Sequence, residues 1–219
     1  MGYHTIHGDP AKTSTWDKLT EILEQGFEHQ IYGKVYPVLV CIDSGGHHTN
    51  TVYNYCNEVG MCVPIKGTVG IGKLLASQTT TKTGQVLYLL ASDSLKTRAA
   101  KKFIYTAEEN NDPDWENNEL YFPSGKNYGY SDSYFKSLAS EQFLPQMIRG
   151  VKKYKWTVIY KRNEAFDILC YSIAALSIFT NNDNMSLSDV KKLIDQDFTG
   201  EEVEAEIGDK IVNVGRFKL

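Results

Sequence analysis

The sequence predicts an α/β fold in which a mixed β-sheet is flanked by helices. Short apolar runs without polar alternation, such as Pro37–Asp43, are typical of strands that are buried on both faces. Segments with helical features follow these runs, and strands that alternate with helices indicate a layered α/β domain. With 219 residues, 42% of them apolar, the chain is long enough to bury a core without a disulfide or a structural metal.

The first predicted element is a helix from Trp16 to Gln25. Thr15 has the side chain of an N-cap residue, and Gly26 is a typical helix end. A strand, a helix and a second buried strand are then predicted at Pro37–Asp43, Asn50–Glu58 and Met61–Gly67.

The middle of the chain carries a third strong strand signal. This strand is predicted at Gln85–Asp93, after an exposed loop or hairpin at Thr68–Gln85. A helical stretch at 94–109, a polar segment at 110–118 and a short strand at 119–123 are predicted to follow it. For the last third we predict helix in at least part of 131–148, a strand at Val151–Lys161, the clearest helix at Asn163–Thr180, and a short helix at Leu187–Gln196.

Composition excludes several classes of protein. The charge is balanced at 23 basic against 27 acidic residues, a net of −4, which argues against a globally basic nucleic-acid coat but not against a local basic patch. No run of 18 apolar residues exists, so no membrane span is expected, and the first 16 residues carry no apolar signal core.

Four cysteines lie inside apolar or aromatic segments without a CxxC pair, which indicates buried thiols in a reducing compartment. They are Cys41, Cys56, Cys62 and Cys170. A zinc site from His47, His48, Cys56 and Cys62 is disfavoured, because the spacing fits no zinc-finger pattern. The two histidines are better explained as loop residues near a metal site.

Three aspartates interrupt apolar segments. Asp43 closes the first buried strand and Asp93 closes the third, where the carboxyl ends of strands gather ligands in α/β sheets. Asp167 lies in the apolar helix, and its neighbours one and two turns on, Cys170 and Ala174, are the small residues that a helix presents to a sheet. Three carboxylates at one edge would suit hard divalent cations such as Mg²⁺.

Each aspartate also has a structural explanation. Asp43 could cap the following helix, Asp93 could cap the helix at Ser94, and Asp167 could pair with a lysine or arginine. The three together favour the metal site.

A basic strip runs from Arg149 to Arg162, with six cations, no acid and three interleaved aromatic residues. Cations with aromatics favour nucleic-acid phosphates, whereas the alternative is an amphipathic strand with its lysines in water. A second basic face, close to Asp93, comprises Lys96, Arg98, Lys101 and Lys102.

An ordered set of segments resembles a known family. CIDSGGHHTNTVYNYC, PIKG, LLASDSLK, YFP, LASEQF and NEAFDILCYSIAAL follow one another as in the nuclease domain of the lambda-like (GpA-type) terminase large subunit of tailed phages. The resemblance covers roughly residues 7–180. It implies an RNase H-like nuclease core at 31–180, preceded by a linker and helix at 1–30 and followed by an acidic tail with a short helix at 181–219.

The resemblance also implies roles for individual residues. Asp43, Asp93 and Asp167 would be the catalytic carboxylates and would hold two Mg²⁺ or Mn²⁺ ions. Lys96 sits in the family's Asp-x-x-Lys position and would meet a phosphate. Glu141 and Glu164 are further residues of the matching motifs and would have supporting roles. The residues themselves, independently of the resemblance, indicate His47 and His48 as further supporting residues. They also indicate as DNA contacts the cations Lys96, Arg98, Lys152, Lys153, Lys155, Lys161 and Arg162.

The function expected from the resemblance is two-metal-ion cleavage of concatemeric phage DNA into genome units during packaging. The implied partners are double-stranded viral DNA, an N-terminal ATPase domain, the small terminase subunit and the portal, in the host cytoplasm and transiently at the procapsid. No Walker A motif is present, so we expect the ATPase half to lie outside this sequence. The alternatives are a non-catalytic RNase H-like DNA-binding module and a resolvase- or integrase-type nuclease.

Overall fold

A computed structural model describes most of the chain. The described residues are 2–29, 32–69, 74–102, 120, 122–123, 128–182 and 184–199, together with the backbone of two strands at 204–207 and 210–213. They form two compact units: the first holds the described residues of Met1–His4, Val69–Gly72 and Ser92–Ile173, and the second those of Thr5–Thr68, Lys73–Ala91 and Ala174–Leu219. The domain boundaries predicted at 30 and 180 stay predictions.

The described elements are helices and strands in a mixed order along the chain. The helices are α1 (Thr13–Gln25), α2 (Thr49–Glu58), α3 (Ser92–Lys101), α4 (Asp132–Leu138), α5 (Glu164–Phe179) and α6 (Leu187–Thr199). The strands are β1 (Phe27–His29), β2 (Gly33–Val35), β3 (Val40–Asp43), β4 (Cys62–Thr68), β5 (Ala76–Thr80), β6 (Val86–Ala91), β7 (Glu141–Ile148), β8 (Val151–Val158), β9 (Glu204–Ile207) and β10 (Lys210–Asn213).

The second unit is built on a four-stranded mixed sheet with the order β3-β4-β6-β5. Strands β3, β4 and β6 are parallel, and β5 returns antiparallel to β6. The predicted α/β fold with a mixed sheet is therefore confirmed, and it is consistent with an RNase H-like fold. The three apolar runs that predicted strands account for β3, β4 and β6. The segment Thr68–Gln85, predicted as an exposed loop or hairpin, contains β5, which forms a hairpin with β6 of the third run.

Helix α1 packs into the core of this unit. Its Leu23 is buried in one cluster with Val52, Tyr55, Cys56 and Cys62. Thr15 was predicted as the N-cap residue, but the helix begins at Thr13 and its N-cap residue is Lys12. The Thr15 hydroxyl instead donates to the carbonyl of Asp9, at 2.8 Å.

Helix occupies part of residues 131–148, as predicted, but not the whole segment. Helix α4 ends at Leu138, and Glu141–Ile148 is a strand that pairs antiparallel with β8. The reason lies in Pro145, which disfavours a helix interior, and in the partner strand that the local sequence does not reveal.

The hairpin of β7 and β8 turns at Arg149 and Gly150, which both have positive φ, at 51° and 76°. Two consecutive residues in this region are typical of the tight turn whose twist matches that of antiparallel strands. The predicted strand at Val151–Lys161 is confirmed, although it ends at Val158.

Other sequence predictions need shorter corrections. The hairpin of β1 with β2 and the pair β9 with β10 were not predicted. The helix predicted at 94–109 is described only as far as Lys101, and most of 103–123, with the short strand predicted at 119–123, lies outside the described residues. Within the described part of the chain, no helix is both long and apolar enough to cross a membrane.

Candidate functional site

Four polar side chains of the first unit form a connected group that we call the carboxylate cluster: Lys96, Glu141, Asn163 and Asp167. The Lys96 ammonium donates to both Glu141 oxygens, at 2.8 Å to Oε1 and 2.6 Å to Oε2. The Asn163 amide nitrogen lies 3.2 Å from Glu141 Oε1 and 2.9 Å from Asp167 Oδ2. One amide therefore bridges two carboxylates, and one ammonium is the counter-ion of the more buried of them.

Local structure explains how these side chains come together. On α3, Leu95 and Ala99 are buried, and the neighbouring Lys96 side chain is only 20% exposed. Asn163 lies just before α5, and its carbonyl accepts the amide hydrogens of Phe166 and Asp167. Its side chain is thereby fixed at the start of the helix that carries Asp167.

Burial sets the electrostatics of the cluster. The Glu141 side chain is 2% exposed, so the Lys96 ammonium, and not water, stabilises the negative charge of its carboxylate. Beside it, burial raises the pKa of the Cys170 thiol to about 12, and the Asp167 charge adds to the rise while Lys96 opposes it. Cys170 and Ala174 are 4% and 0% exposed, which confirms that they lie on the buried face of α5.

Asp43 lies in the second unit, at the carboxyl end of β3. Its carboxylate is exposed, and its Oδ1 accepts the amide hydrogen of Gly45 at 2.8 Å. The loop after it is anchored by the buried Ser44, whose amide and hydroxyl both donate to the Ile65 carbonyl at 2.9 Å. The geometry holds Asp43 on a fixed loop that faces solvent.

Asp93 was predicted at the end of a strand, but it lies in the first turn of α3, because β6 already ends at Ala91. It lies three residues before Lys96, so the two share one side of the helix. The proposed supporting residues His47, His48 and Glu164 are exposed.

The structure thus brings together Lys96, Glu141 and Asp167 of the predicted site residues. Across the described residues, no group of three or more histidine, cysteine or acidic side chains is close enough to hold a metal ion. The donor chemistry of Asp43, Asp93 and Asp167 is nevertheless all oxygen, which fits a hard divalent cation. Their assignment as metal ligands stays a prediction.

The predicted DNA-contacting cations divide into two kinds. Lys96 is held by Glu141, whereas the other predicted contacts are exposed. Those exposed cations are Arg98 on α3, Lys152, Lys153 and Lys155 on β8, and Lys161 and Arg162 after it.

Asn163 is a site residue that the sequence did not reveal as one. Its position directly before an apolar helix is typical of a helix-capping residue. That signal could have identified the cap, but the bridge to Glu141 joins residues 22 positions apart and depends on the tertiary fold.

Comparison with known proteins gives one family. The terminase large subunit gpA endonuclease domain matches residues 1–187. The chain is 28% identical over 153 residues to the terminase large subunit of Escherichia phage lambda, covering 68% of this chain and 23% of that protein. It is 24% identical over 200 residues to the terminase large subunit of Enterobacteria phage P21, covering 89% of this chain and 30% of that protein.

The chain therefore spans less than a third of the length of either relative. No solved structure matches it. Since the family match extends over most of the 219 residues, as the resemblance in the sequence had indicated, the chain belongs to the endonuclease-domain family of the terminase large subunit gpA.

Proposed function

We propose that this chain is a divalent-metal-dependent endonuclease that cuts viral DNA during packaging. The observation that carries the proposal is its membership of the endonuclease-domain family over residues 1–187. The carboxylate cluster supports it, because the half-buried Asp167 belongs to the same hydrogen-bonded group as Lys96, and clustered, partly buried ionisable side chains are candidates for a functional site.

In this proposal Asp43, Asp93 and Asp167 hold two Mg²⁺ or Mn²⁺ ions. The ions would supply an activated nucleophile and stabilise the charge of the departing oxygen. The amide of Asn163 orients Asp167 by donating to its Oδ2. No side chain acts as the nucleophile.

Lys96 has a second task in the proposal. Two of its three N–H groups are used by the Glu141 carboxylate, and the third can donate to a DNA phosphate. The pair with Glu141 would fix the ammonium in place, so that little side-chain freedom is lost when DNA binds.

The experiment is cleavage of supercoiled plasmid in Mg²⁺, in Mn²⁺ and in excess chelator. We expect nicking or linearisation with either metal, none with chelator, and none by Asp167→Asn. Asp189→Asn is the matched control, because Asp189 is an exposed carboxylate on α6 that pairs with Lys192 at 3.0 Å. Cleavage that persists in chelator would contradict the metal dependence.

A second candidate, a DNA-binding module without catalysis, is favoured by one observation: the described residues bring no three metal-binding side chains together. The same assay separates the two functions. A protein that shifts plasmid in a gel but never cuts it, with either metal, would be the binding module.

The proposed partners follow from the family and not from the chain's own contacts. They are double-stranded viral DNA, the ATPase domain of the complete large subunit, the small terminase subunit and the portal. The proposed location is the host cytoplasm, with transient residence at the procapsid.

A further inference from the structure

The hairpin of β7 and β8 carries large apolar side chains that are exposed. Phe143 is 50% exposed, Met147 70% and Tyr154 53%. Strand side chains alternate between faces, and Phe143 is paired with Trp156 and Met147 with Lys152. These side chains therefore share one side of the hairpin, the aromatic face, whose exposed and half-buried part comprises Phe143, Pro145, Met147, Lys152, Tyr154, Trp156 and Val158. Glu141, the partner of Val158, lies on the same side at the buried base of the hairpin.

The rings on the aromatic face are ordered from the base of the hairpin outward. Trp156 contacts the buried Phe166 of α5, with ring centroids 5.8 Å apart, and contacts Phe143 at 5.5 Å. Phe143 in turn stacks on Tyr154 at 5.6 Å with an angle of 28° between the ring planes. The inner ring is anchored on a helix, and the two outer rings are half exposed.

Cations lie on both faces of the hairpin. The Lys152 ammonium lies 5.7 Å from the centroid of the Tyr154 ring, on the same face. Lys153 and Lys155 lie on the opposite face, and both are exposed. From residue 142 to residue 163 the sequence contains six cations and no acid. An occupant of this surface is therefore expected to be a polyanion.

The exposed aromatic rings indicate which kind of nucleic acid this surface favours. In a duplex, the faces of the bases are covered by their neighbours, so a protein meets mainly phosphates and groove edges. In a single strand the base faces are open, and aromatic side chains beside a line of cations are the usual means of binding it. Half-exposed rings next to lysines fit the second kind of substrate.

We infer that the aromatic face of this hairpin binds unpaired bases of single-stranded DNA, with the lysines neutralising the phosphates. The inference rests on the proposed function, because it takes DNA as the substrate. It adds that the preferred DNA contains an unpaired stretch.

The test is binding of a labelled oligothymidylate and of a duplex of equal length, both in chelator, measured by fluorescence anisotropy on the full chain. We expect Phe143→Ala/Tyr154→Ala to weaken binding of the single strand by about tenfold or more and to change duplex binding far less. The matched control, Lys153→Ala/Lys155→Ala on the opposite face, should weaken both and flatten the salt dependence.

Two further measurements make the result decisive. Phe143→Leu/Tyr154→Leu keeps apolar volume without the rings, and it should lose single-strand binding while it unfolds at the wild-type temperature. The single strand should quench tryptophan fluorescence in the wild type, and much less in Trp156→Phe, because Trp156 contacts Phe143.

Equal losses of single-strand and duplex binding in the aromatic variants, or no loss at all, would overturn the inference. The second result would leave the face to a protein partner. Because binding is measured in chelator, it is independent of the cleavage assay: a wild type that binds the single strand but never cuts plasmid refutes the nuclease and not this inference.

Discussion

Replacement of Lys96 by methionine tests whether the pair with Glu141 is a buried ion pair. The Glu141 side chain is 2% exposed and accepts two hydrogen bonds from Lys96, so the change leaves it with the 3.2 Å bond from Asn163. Removal of one partner of a buried pair costs roughly 3–5 kcal/mol. Lys96 is 20% exposed, so water can reach the site, and we expect a loss at the lower end, about 3 kcal/mol.

The double variant Lys96→Met/Glu141→Gln gives the control. With both charges gone, no uncompensated charge is buried, so its stability should exceed that of Lys96→Met by roughly 2 kcal/mol. Glu141→Gln alone should cost less than Lys96→Met, because the ammonium can turn toward water whereas the carboxylate cannot.

The measurement is urea unfolding followed by circular dichroism, at low and high salt. A loss of about 3 kcal/mol lowers the melting temperature of a chain of this length by roughly 6–12 °C. A buried pair should show little dependence on salt. A loss below about 1 kcal/mol, or additive effects in the double variant, would refute the interpretation, because a surface pair behaves in that way.

Three other predictions follow from the site and the thiols. Mn²⁺ should raise the melting temperature of the wild type more than that of Asp43→Asn; equal shifts would count against a metal site at Asp43. Asp167→Asn should keep the fold, because the amide oxygen of the new side chain can still accept a hydrogen bond from the Asn163 amide, but the change should abolish plasmid cleavage. A large loss of stability with surviving cleavage would show that Asp167 has a structural role. Burial raises the pKa values of Cys41, Cys62 and Cys170 from 9.0 to about 12, so the folded state keeps these protons longer than the unfolded state. The contribution of the three protonated thiols to the free energy of unfolding is complete below about pH 9 and is lost as the pH rises toward 12. The midpoints of urea unfolding across this pH range measure that loss. A flat pH profile would contradict the prediction, and so would thiols that iodoacetamide alkylates as fast in the native as in the denatured protein.

The sequence predicted those helices and strands whose own apolar residues require a buried environment. The apolar runs of β3, β4 and β6 and the long apolar helix α5 were found because their composition demands a buried environment. Strand β7 was missed because it has no such run: Phe143, Pro145 and Met147 are exposed, and only the pairing with β8 makes the segment extended.

The site shows the same division. Cys170 and Ala174 were enough to predict the buried face of α5, because helical periodicity is local. The contact of Lys96 with Glu141 joins residues 45 positions apart, and no local pattern encodes it. Lys96 was predicted to meet a phosphate; the structure adds a counter-ion, and the phosphate contact stays a prediction.

The turn at Arg149 and Gly150 has a consequence for how this surface could change in evolution. The two residues set the register of β7 against β8, and the register decides which side chains share a side. A one-residue shift in the register of β8 would carry Lys153 and Lys155 to the side of Phe143 and send Lys152, Tyr154 and Trp156 to the other. Point substitutions can adjust either side of the hairpin separately, whereas a one-residue shift in register exchanges the side chains of β8 between the two sides at once.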